Sequence, residues 1–137
     1  MNRADPTFRA PKVTPSILAS IPDCLYSMLR ENVQRTTERR TSILVSSNNL
    51  ANRFILERWN IRSSQRRRYK ILFSAIRKQC RALFRNFLAR GKLDWNTQNK
   101  EYVFAVFKFD EVRGNLILGF VPPSGHLEWR YVSDNRP

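Results

Sequence analysis

Residues 58–93 carry twelve Lys or Arg residues and no Asp or Glu. The same stretch repeats its large apolar residues every three or four positions: Tyr69, Leu72, Phe73, Ile76, Cys80, Leu83, Phe84, Phe87 and Leu88. A chain holding such a segment has few architectures open to it. The segment has to be helical, with one face buried and the other left cationic. The spacing predicts one long amphipathic helix over residues 64–90, or two helices broken near the middle. Ser63 or Ser64 can cap its start, and Gly91 suits the left-handed position past its end. Arg67, Lys70, Ser74, Arg77, Lys78, Arg81 and Arg85 fall on the polar side. At ~1.5 Å per residue, Arg67 to Arg85 is a ridge of about 27 Å.

The formal charge of the chain is +14, and this segment supplies nearly all of the excess. Residues 1–57 sum to +3 and residues 94–137 to −1. Arg66, Arg67 and Arg68 are expected in the first helical turn, where a cation opposes the helix dipole. A bound phosphate would offset that cost, drawn by both the backbone N–H groups and the arginines. Nineteen of the twenty-five basic residues are Arg, whose planar fork grips phosphate with two bonds and stacks on bases. Nucleic acid is therefore favoured over generic anion attraction.

A chain of 137 residues suits one domain, residues 15–137, behind a flexible basic arm at residues 1–14 that holds Pro6 and Pro11. With 42% hydrophobic residues the chain has enough apolar matter for a core. Cys24 and Cys80 form neither a disulfide framework nor a zinc site, so a reducing intracellular compartment is the default. No apolar run approaches ~18 residues, and the N-terminus lacks the apolar centre of a secretory signal. The run RRRYK resembles a basic nuclear-import signal, which leaves nucleus and cytoplasm both open.

Residues 15–38 read as largely helical, with Pro22 at a first-turn position and Leu25, Met28, Leu29 and Val33 as an apolar stripe. Thr41–Val45 is short and β-branched, as a strand requires. Ser46 and Ser47 precede a second helix over residues 48–59, with Leu50, Ala51, Phe54, Ile55 and Trp59 on its apolar face. After Gly91 the period changes from 3.6 to 2. Leu93–Trp95 is a possible short strand. Lys100–Asp110 is a strand apolar on both faces: Tyr102, Phe104 and Val106 on one, Val103, Ala105, Phe107 and Phe109 on the other. A turn at Glu111–Asn115 with Gly114 leads into Leu116–Val121, and a further strand is expected at His126–Val132, with Leu127, Trp129 and Tyr131 facing the core. The fold class is α+β: N-terminal helices, one of them long and basic, packed on a C-terminal antiparallel meander.

In this order, TSILV, NLANRF and ALFRNFLARGKLDW…KEYVFAV resemble a winged helix-turn-helix domain over roughly residues 22–121. The resemblance implies that the third helix enters a major groove and that the hairpin touches backbone or minor groove. Lys100, Tyr102, Phe104 and Phe107 also resemble the aromatic strand of RNA-recognition motifs, where they would stack on bases. That family's βαββαβ order is missing, and these aromatics are assigned to the core.

Catalysis finds little support, although a nuclease could be drawn from the carboxylates near the sheet with Lys100 and Lys108. His126 has no second His or nearby Cys, and Asp110, Glu111, Glu128 and Asp134 are scattered carboxylates at strand ends. No Gly-rich loop precedes a helix. No cofactor, metal or small-molecule substrate is expected. The expected function is non-enzymatic binding of duplex DNA or RNA, with DNA slightly favoured. Arg66, Arg67, Arg68, Lys70, Arg77, Lys78, Arg81, Arg85 and Arg113 would contact phosphate. The alternative is an assembly protein of a ribonucleoprotein or viral particle. In that reading, or in a homodimer of the nucleic-acid binder, Tyr102, Phe104 and Phe120 would lie in the oligomer interface. Binding to an anionic membrane surface is the third reading, weakened because the helix's apolar face is needed for the core.

Overall fold

The computed structural model describes residues 11–35, 42–90 and 103–121. Helices α1 (Pro15–Leu18) and α2 (Ile21–Arg35) come first, followed by strand β1 (Ser42–Ser46) and helix α3 (Ser47–Trp59). A 3-10 turn at Ser63–Gln65 leads to α4 (Lys70–Arg90), and the hairpin β2 (Val103–Asp110) and β3 (Asn115–Val121) completes the order. The protein is α+β, with helices and a three-stranded antiparallel sheet ordered β1-β3-β2.

Local chemistry explains most boundaries. Thr14 caps α1, its hydroxyl accepting the Ile17 N–H at 3.3 Å, and Pro15 loses no useful donor in the first turn. The Ser46 hydroxyl accepts from the N–H groups of Asn48 and Asn49 at 3.1 and 3.2 Å and so starts α3. Asn60, at φ 56°, ends it in the left-handed conformation that Asn tolerates.

The core lies between the helices and one face of the sheet. Leu25, Leu29, Leu50, Phe54, Ile55, Phe73, Ile76, Cys80, Phe84 and Phe87 close over Ile43, Val45, Phe104, Val106, Phe109, Leu116 and Leu118, all of them buried. Burying each Leu or Phe fully contributes about 1.5–3 kcal/mol relative to exposure. Edge-on ring pairs join the layers: Tyr26 of α2 meets Phe104 at 5.9 Å, and Phe84 of α4 meets Phe109 at 5.8 Å.

Five expectations are corrected. The described third strand of the sheet is β1, paired along β3, so the hairpin is not extended as a meander; Leu93–Trp95 and His126–Val132, with Leu127, Trp129 and Tyr131, lie outside the described residues. Thr14 and Val13, placed in the arm, are respectively the cap of α1 and a partly buried neighbour of the core. The helix starts at Lys70, not at Ser64. Its approach is held in tight turns by the bonds Gln65 N–H to Arg62 O, Arg66 N–H to Ser63 O and Arg68 N–H to Gln65 O. Arg66, Arg67 and Arg68 therefore precede the helix rather than occupying its first turn, in keeping with the cost of cations at the positive end of the dipole. Leu88, assigned to the apolar face of α4, is exposed.

The fifth correction concerns β2. A bulge between Val106 and Lys108 makes Phe107 the extra residue, with Val106 opposite Leu118 and Lys108 opposite Ile117. The bulge inverts the alternation, so Phe109 joins Phe104 and Val106 on the inner face while Lys108 points to solvent. Phe104 is 1% exposed and held by Tyr26, which leaves it no surface for a second subunit or a stacked base. Phe120 sits opposite Phe104 in the register, and Tyr102 lies outside the described residues.

Candidate nucleic-acid interface

Helix α4 buries Leu72, Phe73, Ile76, Cys80, Phe84 and Phe87 along one stripe. That stripe fixes the direction of every other side chain on the helix. Lys70 and Lys78 are exposed and Arg77 is half-buried at the margin. Arg66 and Arg67, on the turn ahead of the helix, are exposed as well. Among the described residues, none of Arg66, Arg67, Lys70, Arg77 and Lys78 has an acidic partner. Arg68 is also exposed but is engaged in an interaction of its own.

The C-terminal half of the ridge is built differently. Arg81 Nη1 donates to the backbone carbonyl of Glu111 at 2.7 Å. Arg85 Nε lies 2.9 Å from Glu111 Oε2, its Nη2 lies 3.1 Å from Oε1, and its guanidinium sits 5.8 Å from the centre of the Phe109 ring. This is a two-pronged grip of the β2–β3 turn by α4. The hydrogen bond to Arg85 holds the Glu111 carboxyl below the usual carboxylate range, and the same bond raises the Arg85 guanidinium.

The turn is shaped to be gripped. The Asp110 carboxylate accepts from the N–H groups of Val112 and Arg113 at 3.0 and 3.2 Å, and Gly114 N–H returns to Asp110 O at 2.7 Å. Gly114 adopts φ +74° and accepts the Ser47 N–H at 2.8 Å, which docks the turn on the start of α3. A Cβ at Gly114 would collide with the Ser47 hydroxyl and stand 2.7 Å from Arg81 Nη2. Only glycine permits this approach. Beyond the grip, Val112 and Arg113 project into solvent, Arg113 only loosely facing Asp110 at 3.9 Å.

Between α2 and α3, Arg53, Glu31 and Glu57 pair with one another. Arg53 makes a bidentate pair with Glu31 at 2.7 and 2.5 Å and reaches Glu57 at 2.7 Å, and these hydrogen bonds raise its guanidinium. Cys24 donates to Glu57 at 3.6 Å; burial, with Glu57 close by, pushes its thiol up to about 12. Burial also pushes Cys80 up to about 12, so both thiols stay protonated at neutral pH.

The nine expected phosphate-binding residues thus divide. Arg66, Arg67, Arg68, Lys70, Arg77 and Lys78 share the N-terminal part of the ridge, Arg81 and Arg85 hold the turn, and Arg113 stands at its tip. Sequence reasoning missed Glu111 and Gly114 as positioning residues. No local pattern could have shown the grip, because Arg81 and Glu111 are thirty positions apart. It also missed Ile71, which is 81% exposed; its place off the apolar stripe was the available signal. Among the described residues there is no helix long and apolar enough to cross a membrane, and no group of acidic, His and Cys side chains able to hold a metal ion. The chain matches no protein-family model, and neither a curated protein nor a solved structure matches it.

Proposed function

We propose that this protein binds duplex nucleic acid, DNA in preference to RNA, through the exposed cations at the start of α4, and that it does no chemistry on it. The observation that carries the reading is that Arg66, Arg67, Lys70, Arg77 and Lys78, close along the chain at the start of α4, have no acidic partners among the described residues while Glu31, Glu57 and Glu111 are engaged by other arginines. Like charges crowded along several turns repel one another, and a phosphate backbone would relieve that repulsion and release counterions on binding. The order helix, strand, helix, helix, hairpin with sheet order β1-β3-β2 supports a winged helix-turn-helix arrangement. In it α4 is the groove helix and the Val112–Arg113 tip is the wing beside it. Of the three residues that the assembly reading would use, Phe104 is inside the core.

A salt titration of fluorescence anisotropy on a short DNA duplex tests the proposal. Five phosphate contacts predict a slope of log affinity on log salt of about −4 to −5. Full use of Arg81, Arg85 and Arg113 as well would steepen it to about −7. Binding that ignores salt, or no binding to DNA or RNA duplexes at low salt, would remove the proposal.

A further inference from the structure

We infer that Ile71 contacts the C5-methyl group of thymine in the major groove, which makes it a base-reading residue within an otherwise phosphate-gripping helix. The inference rests on the proposal that α4 binds duplex DNA and deepens it by naming what the helix reads. Ile71 is 81% exposed although the core stripe of α4 is complete without it. It lines one shallow groove with Lys70, Ser74, Ala75, Lys78 and Gln79, and Val13 and Leu18 wall the other side. One turn beyond Ile71 the exposed positions are Ser74 and Ala75, both small, so the helix axis can come close to a surface with Ile71 projecting towards it. Lys70 precedes it and Lys78 follows two turns on, both exposed.

An apolar group set inside a cationic margin needs a partner with the inverse pattern. The major groove of A·T-containing DNA has it, with phosphates along the rims and thymine methyl groups on the floor. Duplex RNA does not fit, because its major groove is too deep and narrow for side chains to read and its uracil lacks the methyl. A lipid surface fits poorly too, since an interfacial helix inserts a broad apolar face. The broad apolar face of α4 is inside the core.

The test compares an alternating dA-dT duplex with the same duplex carrying deoxyuridine at every thymine position, at one fixed salt concentration. The wild-type chain is expected to bind the thymine duplex about fourfold more tightly per methyl buried. Ile71→Ala, at an exposed position that the fold does not use, is expected to bind both duplexes alike, with the affinity of the wild type for the deoxyuridine duplex. Equal wild-type affinity for the two duplexes overturns the inference while leaving phosphate binding intact. A thymine preference that survives Ile71→Ala overturns it as well. Failure to bind either duplex overturns the nucleic-acid reading and the Ile71 reading together. If Ile71 instead seats a protein partner, the two duplexes bind equally, which is the first of these contrary results.

Discussion

The two halves of α4 carry the same kind of charge and put it to different use. In the first half, Lys70, Arg77 and Lys78, with Arg66 and Arg67 ahead of them, face outward without acidic partners among the described residues. In the second half, Arg81 and Arg85 reach across to Glu111 and fasten the hairpin turn to the helix. Formal charge in a sequence is therefore an upper bound on the charge free to meet a ligand. Arg53, held between Glu31 and Glu57, makes the same point on the far side of the fold. Surface ion pairs contribute little stability individually, and what distinguishes the Glu111 grip is that it orients a turn.

The largest effect is expected where both halves share a foundation. Phe84 is fully buried beneath the ridge and packs edge-on against Phe109. Phe84→Ala should destabilise the domain by about 3–5 kcal/mol, measured by denaturant unfolding, and weaken both halves together. Full retained stability would mean that α4 and the hairpin are not one packed unit.

Next comes Gly114→Ala, which acts on the second half alone. The new methyl would strike Ser47 and the Arg81 guanidinium at a φ of +74°. A loss of about 1–3 kcal/mol is expected, with little change in binding if the first half is the contact surface. Arg81→Ala removes the bond to the Glu111 carbonyl and should cost about 1 kcal/mol.

The smallest effect is a pH dependence. Glu111 is depressed in the folded protein, so its contribution is present above the ordinary carboxylate range and is lost as pH falls through its lowered folded value. The protection of the Gly114 amide, taken as its exchange rate relative to the intrinsic rate at the same pH, should fall on acidification in the wild type and stay nearly constant in Glu111→Gln. That variant should also bind DNA several-fold more tightly, because it removes an acid and releases Arg85.

These elements differ in how far the sequence alone could reveal them. The apolar stripes of α2, α3 and α4 were legible because a helix reports its buried face through nearby residues: Leu25 and Leu29, Leu50 and Phe54, Phe73, Ile76, Cys80 and Phe84 all went inside. The strands β1, β2 and β3 and the Gly114 turn were legible too, from β-branched runs and turn chemistry. Strand partnership was not. Nothing near Ile43 or Val45 says that they pair with Leu118 and Leu116, since pairing is decided by long-range packing. The face of Phe109 was misread because one extra residue at Phe107 reverses a period-2 pattern. For the site, the ridge could be read from charge spacing, whereas the division of labour within it could not. Arg85 and Glu111 meet from twenty-six positions apart, and only the fold brings them together.

The central claim is tested most directly by reversing charge in each half separately and measuring duplex binding and melting on both variants. Arg67→Glu, Lys70→Glu and Lys78→Glu combined should lower affinity more than about a hundredfold, since three phosphate contacts become repulsions, while melting stays near wild type because exposed substitutions change stability by about 0.5 kcal/mol or less each. Arg81→Glu with Arg85→Glu should instead lower the melting temperature and reduce affinity far less. The reverse pattern, with binding intact after the first set and abolished after the second without loss of melting temperature, would contradict the account.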